Sequence, residues 1–254
     1  MKTVLVTGGT GTLGRPVVER LRRAGHQVRG LSRHPAPEDP ASFAVDLRRG
    51  TGLADAVRGV DTVVHCASTP AGGDIESATH LIRAVREAGV AHLVYVSIVG
   101  VDRVPLGYYR TKHTVESALA ASGLGWTVLR ATQFHDLVLR LCAGAARLPF
   151  MPVPDVDVQP VEVEEVASRL ARLAANPPAG RVADMGGPRV ESFRDLAGAY
   201  QRWAGTDLRT VPVRLPGAVF AAYRAGGHLA PDRAVGKATF AEFLDRQPSE
   251  QTIR

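Results

Sequence analysis

The sequence of 254 residues has few of the features that define several large classes of protein. Its two cysteines, Cys66 and Cys142, cannot form a framework of disulfides, and no metal-ligand spacing joins them to the eight histidines. Only three of the 31 basic residues are lysine, and no basic run is longer than two residues. The net charge of +6 is therefore spread along the chain, which argues against a nucleic-acid-binding stripe.

Long apolar segments are also missing. The longest nearly apolar stretch, Leu93 to Val101, is about half of what spans a bilayer. The apolar run after Met1-Lys2-Thr3 is too short for the core of a signal peptide. The hydrophobic content of 45% and the charged content of 22% are those of a globular protein, which excludes disorder, collagen-like chains and coiled coils. We therefore expect a soluble, reduced, cytoplasmic protein that contacts neither membrane nor nucleic acid.

Short runs of β-branched residues alternate with amphipathic helical stretches in the first half of the chain. The pattern predicts strands over 3–6, 27–32, 43–45, 60–66, 92–99 and 126–131, and helices over 11–24, 51–57, 75–88 and 108–121. Strands that are apolar on both faces and joined by helices indicate a parallel sheet covered by helices on both sides. The predicted fold class is α/β, a doubly wound (Rossmann) parallel sheet with a ligand crevice at the carboxyl ends of its strands.

The texture changes near residue 150, where the proline-rich segment Met151-Pro152-Val153-Pro154 is followed by shorter patterns. These patterns predict strands over 158–163 and 181–185, and helices over 166–175, 193–203, 216–224 and 240–244. Chains of this length commonly fold as one α/β unit. We therefore predict an NADP(H)-binding core over 1–149 and a small C-terminal cap over 150–254 that closes over the crevice, with both parts in one compact unit.

A glycine-rich turn, Thr7-Gly8-Gly9-Thr10-Gly11-Thr12-Leu13-Gly14, lies between the first predicted strand and the first helix. Glycines at this spacing let the backbone turn tightly, approach a pyrophosphate without a Cβ in the way, and pack the helix close to the strand. The N–H groups and the positive dipole end of that helix can then bind phosphates. The turn predicts a dinucleotide site whose cofactor-binding residues are Gly8, Thr10, Gly11, Thr12, Leu13 and Gly14.

The residues after the second predicted strand favour NADP(H) over NAD(H). NAD-binding units usually place an acid about 20 residues past the glycines, on the ribose hydroxyls. This chain has Ser32 and Arg33 there, and its next acids, Glu38 and Asp39, come only after two prolines. Arg33 offers a cation and Ser32 a hydroxyl to a 2′-phosphate. The alternative is that Arg33 is only a solvated surface charge.

Four further residues are expected beside the cofactor. Asp46, after the third predicted strand, can accept a hydrogen bond from the adenine amino group, and Leu47 follows it. The alternative for Asp46 is a capping residue of the loop. Ala67 and Ser68 end the fourth predicted strand, which leads into the crevice.

Tyr108 and Lys112 are four residues apart on a predicted helix, and therefore lie on one face, one turn apart. A tyrosine hydroxyl has a pKa of about 10. A nearby ammonium together with an oxidised nicotinamide is expected to lower that pKa. Lys112 can also hold the nicotinamide ribose, and Ser97, at the end of the fifth strand, can donate to a substrate carbonyl. These three residues predict proton transfer to an oxygen while hydride moves to its carbon. The alternative is an interfacial tyrosine beside a solvated lysine.

Together these motifs resemble the short-chain dehydrogenase/reductase superfamily, and in particular its atypical, NmrA-like NAD(P)H-binding branch. The resemblance is carried by the glycine-rich turn and by Asp46-Leu47, Val63-Val64-His65-Cys66-Ala67-Ser68, Tyr95-Val96-Ser97-Ile98-Val99-Gly100-Val101, 108–112, Leu129-Arg130-Ala131-Thr132-Gln133-Phe134 and 159–167. It covers nearly the whole chain and is tightest over residues 1–135. It implies an NADP(H)-binding fold with Ser97, Tyr108 and Lys112 as the matched triad.

The chain departs from this pattern on the helix before the fifth strand. Classical members of the superfamily carry an asparagine there that supports a proton relay, whereas this helix has Thr79 and His80 and no asparagine. Any relay in this chain must therefore use other residues. The branch also contains both active reductases and members that only bind the cofactor and report redox state.

Substrate-binding residues are expected after the sixth strand, at Gln133, Phe134 and His135. His135 is either a substrate contact or a residue that begins the helix without a catalytic task. The cap is expected to complete an apolar wall, which suits a ketone, enone or quinone with little charge. The residues expected in this wall are Phe134, Leu137, Val138, Phe150, Met151, Phe220 and Tyr223.

The sequence thus predicts an NADP(H)-dependent oxidoreductase that reduces a carbonyl or quinone-type small molecule, with Tyr108 as the acid–base group and without a metal. The first alternative is a non-catalytic NADP(H)-binding redox sensor that acts through a protein partner. The second is a non-redox enzyme such as an epimerase or a dehydratase, although sugar-nucleotide members of the superfamily usually have a larger substrate lobe. We expect an apolar or aromatic small-molecule substrate, and the sequence indicates no particular oligomeric state.

Overall fold

The computed structural model describes residues 1–34, 41–69 and 72–248. Glu38 and Asp39, which the cofactor argument used, lie outside the described residues, as does the end of the predicted cap. Contacts divide the chain into two compact units. The first unit comprises Met1–Ser97, Gly107–Arg130 and Glu164–Ala183, and the second comprises Ile98–Leu106, Ala131–Val163 and the residues from Asp184 onward. The predicted roles of residues 1–149 as an NADP(H)-binding core and of residues 150–254 as a substrate-binding cap stay predictions.

Strands and helices alternate along the chain. Through the first six strands the elements are β1 Thr3–Thr7, α1 Gly14–Arg23, β2 Gln27–Ser32, β3 Ser42–Ala44, α2 Leu53–Val57, β4 Thr62–His65, α3 Asp74–Glu87, β5 His92–Ile98, α4 Gly107–Ala120 and β6 Trp126–Ala131. They are followed by α5 His135–Ala145, β7 Met151–Pro154, β8 Asp157–Val158, α6 Val163–Ala175, β9 Gly180–Arg181, β10 Glu191–Ser192, α7 Phe193–Ala204, β11 Thr210–Val213, α8 Ala218–Arg224, a 3-10 turn Pro231–Arg233 and α9 Phe240–Asp245.

The central sheet has seven strands in the order β3-β2-β1-β4-β5-β6-β9. Val4 of β1 pairs in parallel with Val28 of β2 on one side and with Thr62 of β4 on the other. The strand order therefore reverses between β1 and β4, and sheets of this kind bind ligands at the carboxyl ends of the strands near such a reversal. The predicted doubly wound parallel sheet is confirmed.

Side-chain alternation along the strands gives the sheet two apolar faces. Leu5 and Val63 belong to a cluster on the face that carries α2, α3 and α4, and Leu81 of α3 is fully buried there. Burial of one such leucine contributes about 1.5–3 kcal/mol. On α1 the buried residues are Val17, Val18 and Leu21, at helical spacing, so this helix lays one apolar stripe against the sheet.

The second unit has its own core and two small sheets. β7 pairs with β11 in parallel, and β8 pairs with β10 in antiparallel fashion. The core side chains come mainly from α5, α7 and α9, and they are Val138, Cys142, Met151, Val153, Val158, Phe193, Leu196, Ala197, Tyr200, Ala204, Phe240, Phe243 and Leu244. α9 begins with a capping box in which Thr239 and Glu242 satisfy each other's backbone N–H groups.

Two strands predicted after residue 150 are much shorter in the structure. The strand expected over 158–163 is only Asp157–Val158, because Pro160 has no N–H to donate and α6 already begins at Val163. Glu164 and Glu165 in the first turn of α6 favour that early start. The strand expected over 181–185 is Gly180–Arg181, followed by an isolated bridge between Met185 and Ala131. No helix in the described part of the chain is long and apolar enough to cross a membrane.

Candidate functional site

The glycine-rich turn brings together the ends of three neighbouring strands. The N–H of Gly8 donates to the carbonyl of Leu31 at 2.7 Å, and Gly8 has a φ of +68°. A Cβ on Gly8 would lie 2.9 Å from the Cα of Ala67. A Cβ on Gly14 would lie 2.0 Å from the carbonyl oxygen of Gly8, so α1 can begin this close to β1 only with glycine at that position.

The residues present at the start of α1 fit a bound pyrophosphate. Leu13 precedes the helix without making a side-chain cap, and the first turn contains no acidic residue. The first N–H groups of the helix therefore have no capping side chain, and they meet no local negative charge that would repel a phosphate. Thr10, Gly11 and Thr12 are exposed, so a phosphate can reach this turn.

Ser32 and Arg33 continue from the turn toward solvent. The hydroxyls of Ser32 and Thr10 are 2.8 Å apart, and the N–H of His34 donates to Ser32 Oγ at 3.2 Å. Arg33 is exposed and makes no hydrogen bond or ion pair with any described residue. The side chain of Ser32 is therefore held beside the turn, and the Arg33 guanidinium is available to an anion.

Asp46 and Leu47 have structural partners. Asp46 Oδ1 accepts a hydrogen bond from the N–H of Arg48 at 3.0 Å, and Asp46 Oδ2 is 3.9 Å from Arg49 Nε. These contacts correspond to the loop-capping interpretation of Asp46. Leu47 is buried in the core of the first unit, and its carbonyl oxygen is 3.1 Å from His80 Nδ1. Adenine contacts by Asp46 and Leu47 stay predictions.

A buried pair of polar side chains, which the sequence analysis did not single out, closes the ends of β1 and β4. Thr7 Oγ1 is 2.7 Å from His65 Nδ1 and accepts a hydrogen bond from the N–H of Ala67 at 3.1 Å. Burial, and then the charge of Lys112, lower the pKa of His65 to about 3, so His65 is neutral at physiological pH. The signal was available in the sequence, because polar residues at the ends of two all-apolar strands face one edge of a parallel sheet.

Tyr108 belongs to a chain of hydrogen bonds with Ser68 and Asp74. The hydroxyls of Tyr108 and Ser68 are 2.7 Å apart, and Ser68 Oγ donates to Asp74 Oδ2. Burial raises the pKa of Tyr108, the charge of Asp74 raises it further, and the hydrogen bond with Ser68 opposes this. Lys112 Nζ lies 5.8 Å from the centre of the Tyr108 ring. The lowering of this pKa by the ammonium together with an oxidised nicotinamide stays a prediction.

Lys112 is buried, with only 3% of its surface exposed, so it is not a solvated lysine. Its Nζ donates to the carbonyl of Val96 at 3.4 Å and lies 4.9 Å from the centre of the Tyr95 ring. Burial lowers the pKa of Lys112 to about 8, and the nearby acidic groups Asp74 and Glu116 act in the opposite direction. Glu116 lies one helical turn further along α4 and forms a buried ion pair through both of its carboxylate oxygens.

The partner of Glu116 is Arg130 on β6. Arg130 Nε and Nη2 donate to the two carboxylate oxygens of Glu116 at 2.9 and 2.7 Å. This paired geometry is the most specific that arginine makes with a carboxylate. It fixes the middle of α4 to the sheet and thereby the position of Lys112 on the same helix face.

Ser97, the third member of the predicted triad, is not joined to the other two. Its Oγ is buried and has no hydrogen-bond partner among the described residues. Leaving a buried hydroxyl unpaired costs about 1–3 kcal/mol. The structure therefore connects Tyr108 to Ser68, a residue that the sequence analysis assigned to the cofactor, and leaves the hydroxyl of Ser97 available for another partner.

The three predicted substrate residues lie in the second unit. The carbonyl of Gln133 accepts from the N–H of Val161 at 2.8 Å, and Phe134 precedes α5. The His135 ring is fully buried, donates from Nε2 to the Ala238 carbonyl at 3.1 Å, and stacks on Phe243 with ring centres 5.2 Å apart. This placement favours the interpretation of His135 as a residue that begins the helix without a catalytic task.

The residues that were predicted to form the apolar wall differ in their exposure to solvent. Val138 and Met151 lie in the core of the second unit and are almost inaccessible. Leu137 and Phe150 are 39% and 45% exposed, so these two side chains can contact another molecule. Within the described residues, no three histidine, cysteine or acidic side chains are grouped so that they could hold a metal ion.

Comparison with known proteins decides the family. The profile of a family described as NAD(P)H-binding matches residues 8–177, a segment that includes the glycine-rich turn, Ser68, Tyr108 and Lys112. The chain belongs to this NAD(P)H-binding family. Its cofactor is therefore NAD(P)H, and the expected NAD(P)H-binding family is confirmed.

Relatives of this NAD(P)H-binding protein include a (4-alkanoyl-5-oxo-2,5-dihydrofuran-3-yl)methyl phosphate reductase of Streptomyces griseus. It is 32% identical over 218 residues, which are 81% of this chain and 75% of that protein. An uncharacterized protein of Mycobacterium tuberculosis is 30% identical over 214 residues, or 78% of this chain. The matched segment is only 23% of that protein, so the chain spans about a quarter of this relative's length.

Among solved structures, an NADPH-dependent quinone oxidoreductase of Escherichia coli in complex with NADPH superimposes with a TM-score of 0.83. The match covers 95% of this chain and 98% of that one, at 21% sequence identity. At this level of identity the similarity establishes the shared fold.

Proposed function

We propose that this NAD(P)H-binding protein is a reductase that uses NADPH to reduce a carbonyl or quinone-type small molecule, with Tyr108 as the proton donor. The observation that carries the proposal is the half-buried Tyr108 hydroxyl, one helical turn from the buried ammonium of Lys112. The names of the relatives support it, since the Streptomyces griseus protein is a reductase and the Escherichia coli protein a quinone oxidoreductase.

The residues of the chain have separate tasks in this mechanism. When bound, NADPH supplies the hydride that goes to the substrate carbon. The Tyr108 O–H donates its proton to the substrate oxygen, and its raised pKa keeps the proton on Tyr108 at neutral pH. Lys112 holds the ribose of the nicotinamide and places positive charge beside the developing negative oxygen. The unpaired hydroxyl of Ser97 is assigned to polarise the substrate oxygen.

The preference for NADPH over NADH rests on charge. The exposed Arg33 is available to the 2′-phosphate, and the side chain of Ser32 is held close to the turn by Thr10. An arginine binds a phosphate with two parallel hydrogen bonds, and a ribose without the phosphate offers it no such partner. NADPH as the bound form also favours the direction of reduction.

Replacement of Tyr108 by phenylalanine tests the mechanism. Tyr108→Phe should lower kcat by about 100-fold to 10,000-fold, the usual contribution of a general acid, with the Kd for NADPH unchanged. A panel of ketones, enones and quinones is screened by the consumption of NADPH, and the Kd is measured by fluorescence titration. Tyr109→Phe, the adjacent tyrosine on a different face of α4, is the matched control. Equal turnover by Tyr108→Phe and the unaltered protein contradicts the role of Tyr108.

The redox-sensor alternative has one structural observation in its favour. Leu137 and Leu141, one turn apart on α5, are 39% and 50% exposed, which is unusual for leucines spaced along one helix face. A sensor binds NADPH with normal affinity and reduces no member of the substrate panel. The same screen therefore distinguishes the two functions before any variant is made.

A further inference from the structure

The hydrogen bonds between Tyr108, Ser68 and Asp74 have a direction. An ionised carboxylate only accepts hydrogen bonds, so the single proton of the Ser68 hydroxyl is donated to Asp74 Oδ2. The oxygen of Ser68 is then left as an acceptor for its other neighbour. Tyr108 must therefore donate its own proton to Ser68 across the 2.7 Å between the two hydroxyls. The order of donation runs from Tyr108 to Ser68 to Asp74.

Asp74 is held firmly at the end of this chain. It is the first residue of α3, where the helix dipole favours a negative charge, and it is 6% exposed. Its second carboxylate oxygen, Oδ1, accepts from the N–H of Thr69 at 2.9 Å. Both oxygens of Asp74 are thus engaged, and the carboxylate cannot turn away from Ser68 without losing a hydrogen bond.

The other titratable groups around Tyr108 and Asp74 come from β4, β5 and α4. His65 is neutral because burial lowers its pKa to about 3, and the Cys66 thiol is neutral because burial raises its pKa to about 12. Burial also raises the pKa of Tyr95. The charged groups are therefore Asp74 itself, the ammonium of Lys112 and the carboxylate of Glu116, which Arg130 pairs.

We propose that Ser68 and Asp74 are positioning residues that hold the Tyr108 hydroxyl in place and keep it protonated until a substrate oxygen replaces Ser68 as the acceptor, so that the site is adapted to donate a proton and thus to reduce its substrate. This inference rests on the proposed reductase function and adds a reaction direction to it. In each turnover the Tyr108 hydroxyl turns its proton from Ser68 to the substrate oxygen, the Tyr108 O–H bond breaks as the O–H bond of the product forms, and a proton from solvent restores the phenol. Ser68 is exposed, so water reaches the hydroxyl pair.

The position of Asp74 explains how it acts through Ser68. Its negative charge disfavours a second negative charge on Tyr108, which the pKa of Tyr108 reflects. Ser68 could stabilise a phenolate only by turning its proton from Asp74 to Tyr108, and that would leave the carboxylate with one hydrogen bond fewer. Both effects keep the proton on Tyr108.

Titration of the Tyr108 phenol tests this without cofactor or substrate. Tyrosine labelled with ¹³C at the ring carbon that bears the oxygen is followed by NMR as the pH rises, and the Tyr108 signal is assigned by its absence in Tyr108→Phe. Asp74→Asn should lower the Tyr108 midpoint by about one pH unit, because it removes the charge and keeps the shape. A folded Asp74→Asn protein with an unchanged midpoint overturns the proposal.

A second pair of variants covers the case in which Asp74→Asn does not fold. Ser68→Ala cuts the link and leaves Asp74 bonded to Thr69, and it should lower kcat for reduction by about tenfold. Ser68→Thr restores the hydroxyl and should restore kcat and its pH profile. Failure of the threonine variant to rescue overturns the role of the hydroxyl. If instead no substrate is found, the proposed function fails while the NMR titration of Asp74→Asn still reports on the hydrogen-bonded chain.

Discussion

Several buried polar side chains in the first unit pair with one another, whereas three buried polar side chains in the second unit bond to backbone groups. In the first unit, Thr7 meets His65 and Arg130 meets Glu116 through side-chain atoms. In the second unit, His135 donates to the Ala238 carbonyl and His228 lies 2.9 Å from the Asp157 carbonyl. Gln159 adds three hydrogen bonds to the backbone of Gly187 and Ala230.

The two patterns have different consequences. Paired side chains couple their protonation states, since the charge of one changes the pKa of the other. Bonds to the backbone satisfy carbonyl and N–H groups in irregular segments and fix loops in place. The paired side chains of the first unit can therefore influence one another's protonation, and the backbone-bonded side chains of the second unit hold its loops. Substitutions in each unit can separate these roles.

The largest effect is expected from Gly14→Ala in the first unit. Its Cβ would lie 2.0 Å from the carbonyl oxygen of Gly8, and this contact is with backbone that cannot move aside cheaply. The start of α1 must shift, and a displacement of about 1 Å in a binding site costs about 100-fold. We expect the Kd for NADPH, measured by fluorescence titration, to rise by at least that factor and the Tm to fall.

Gly144→Ala in the second unit is the matched control. Gly144 lies in α5, and a Cβ there would meet nothing within 4 Å. Alanine in a helix is more favourable than glycine by about 0.5–1 kcal/mol, so the Tm should rise slightly while the Kd for NADPH stays unchanged. Equal losses of NADPH affinity in the two variants would contradict the explanation that the close contact between Gly8 and Gly14 requires glycine.

The sequence predicted the first unit in detail because the hydrophobic periodicity and the positions of glycine indicate the same boundaries there. Buried strands such as β4 are apolar on both faces, the helices between them carry apolar stripes, and glycine ends several of them. In the second unit the strands have only two to four residues, so they carry too little periodicity to be delimited. Their ends are set by contacts such as Gln159 with Gly187, which are distant in sequence.

The sequence predicted those parts of the site that depend on local motifs. The spacing of Tyr108 and Lys112 correctly placed both on one helix, but their partners come from other elements. Asp74 was not found, because an acid at a helix start is a common capping feature and its approach to Ser68 depends on how α3 packs. The isolation of Ser97 was also hidden, since an unpaired hydroxyl is visible only once every neighbour is placed.

The dependence of protein stability on pH tests His135, one of the buried histidines of the second unit. Burial lowers the pKa of His135 from 6.5 to about 4. The unfolded chain therefore binds more protons than the folded chain between these pH values. The free energy of unfolding should be fully retained above about pH 6.5 and should fall as the pH drops toward 4, by at most about 1.4 kcal/mol per pH unit for this residue.

His135→Phe removes this titration and keeps an aromatic ring against Phe240 and Phe243. Urea unfolding at several pH values between 4.5 and 7.5, about the range that brackets the transition, should give a shallower slope for the variant. NADPH affinity near neutral pH should not change, because the His135 contacts described here lie within the second unit. An identical pH slope in both proteins shows that His135 is not protonated on unfolding.

The smallest change is expected from Arg33→Ala, which should alter cofactor choice without altering stability. Arg33 is exposed and makes no bond with the described residues, so its removal breaks no contact with them. The Kd for NADPH should rise by about tenfold, the Kd for NADH should stay within a factor of about two, and the salt dependence of NADPH binding should weaken. Arg83→Ala, which removes the same charge from the exposed side of α3, should change neither Kd. Equal losses for both cofactors in Arg33→Ala would contradict the proposed contact between Arg33 and the 2′-phosphate.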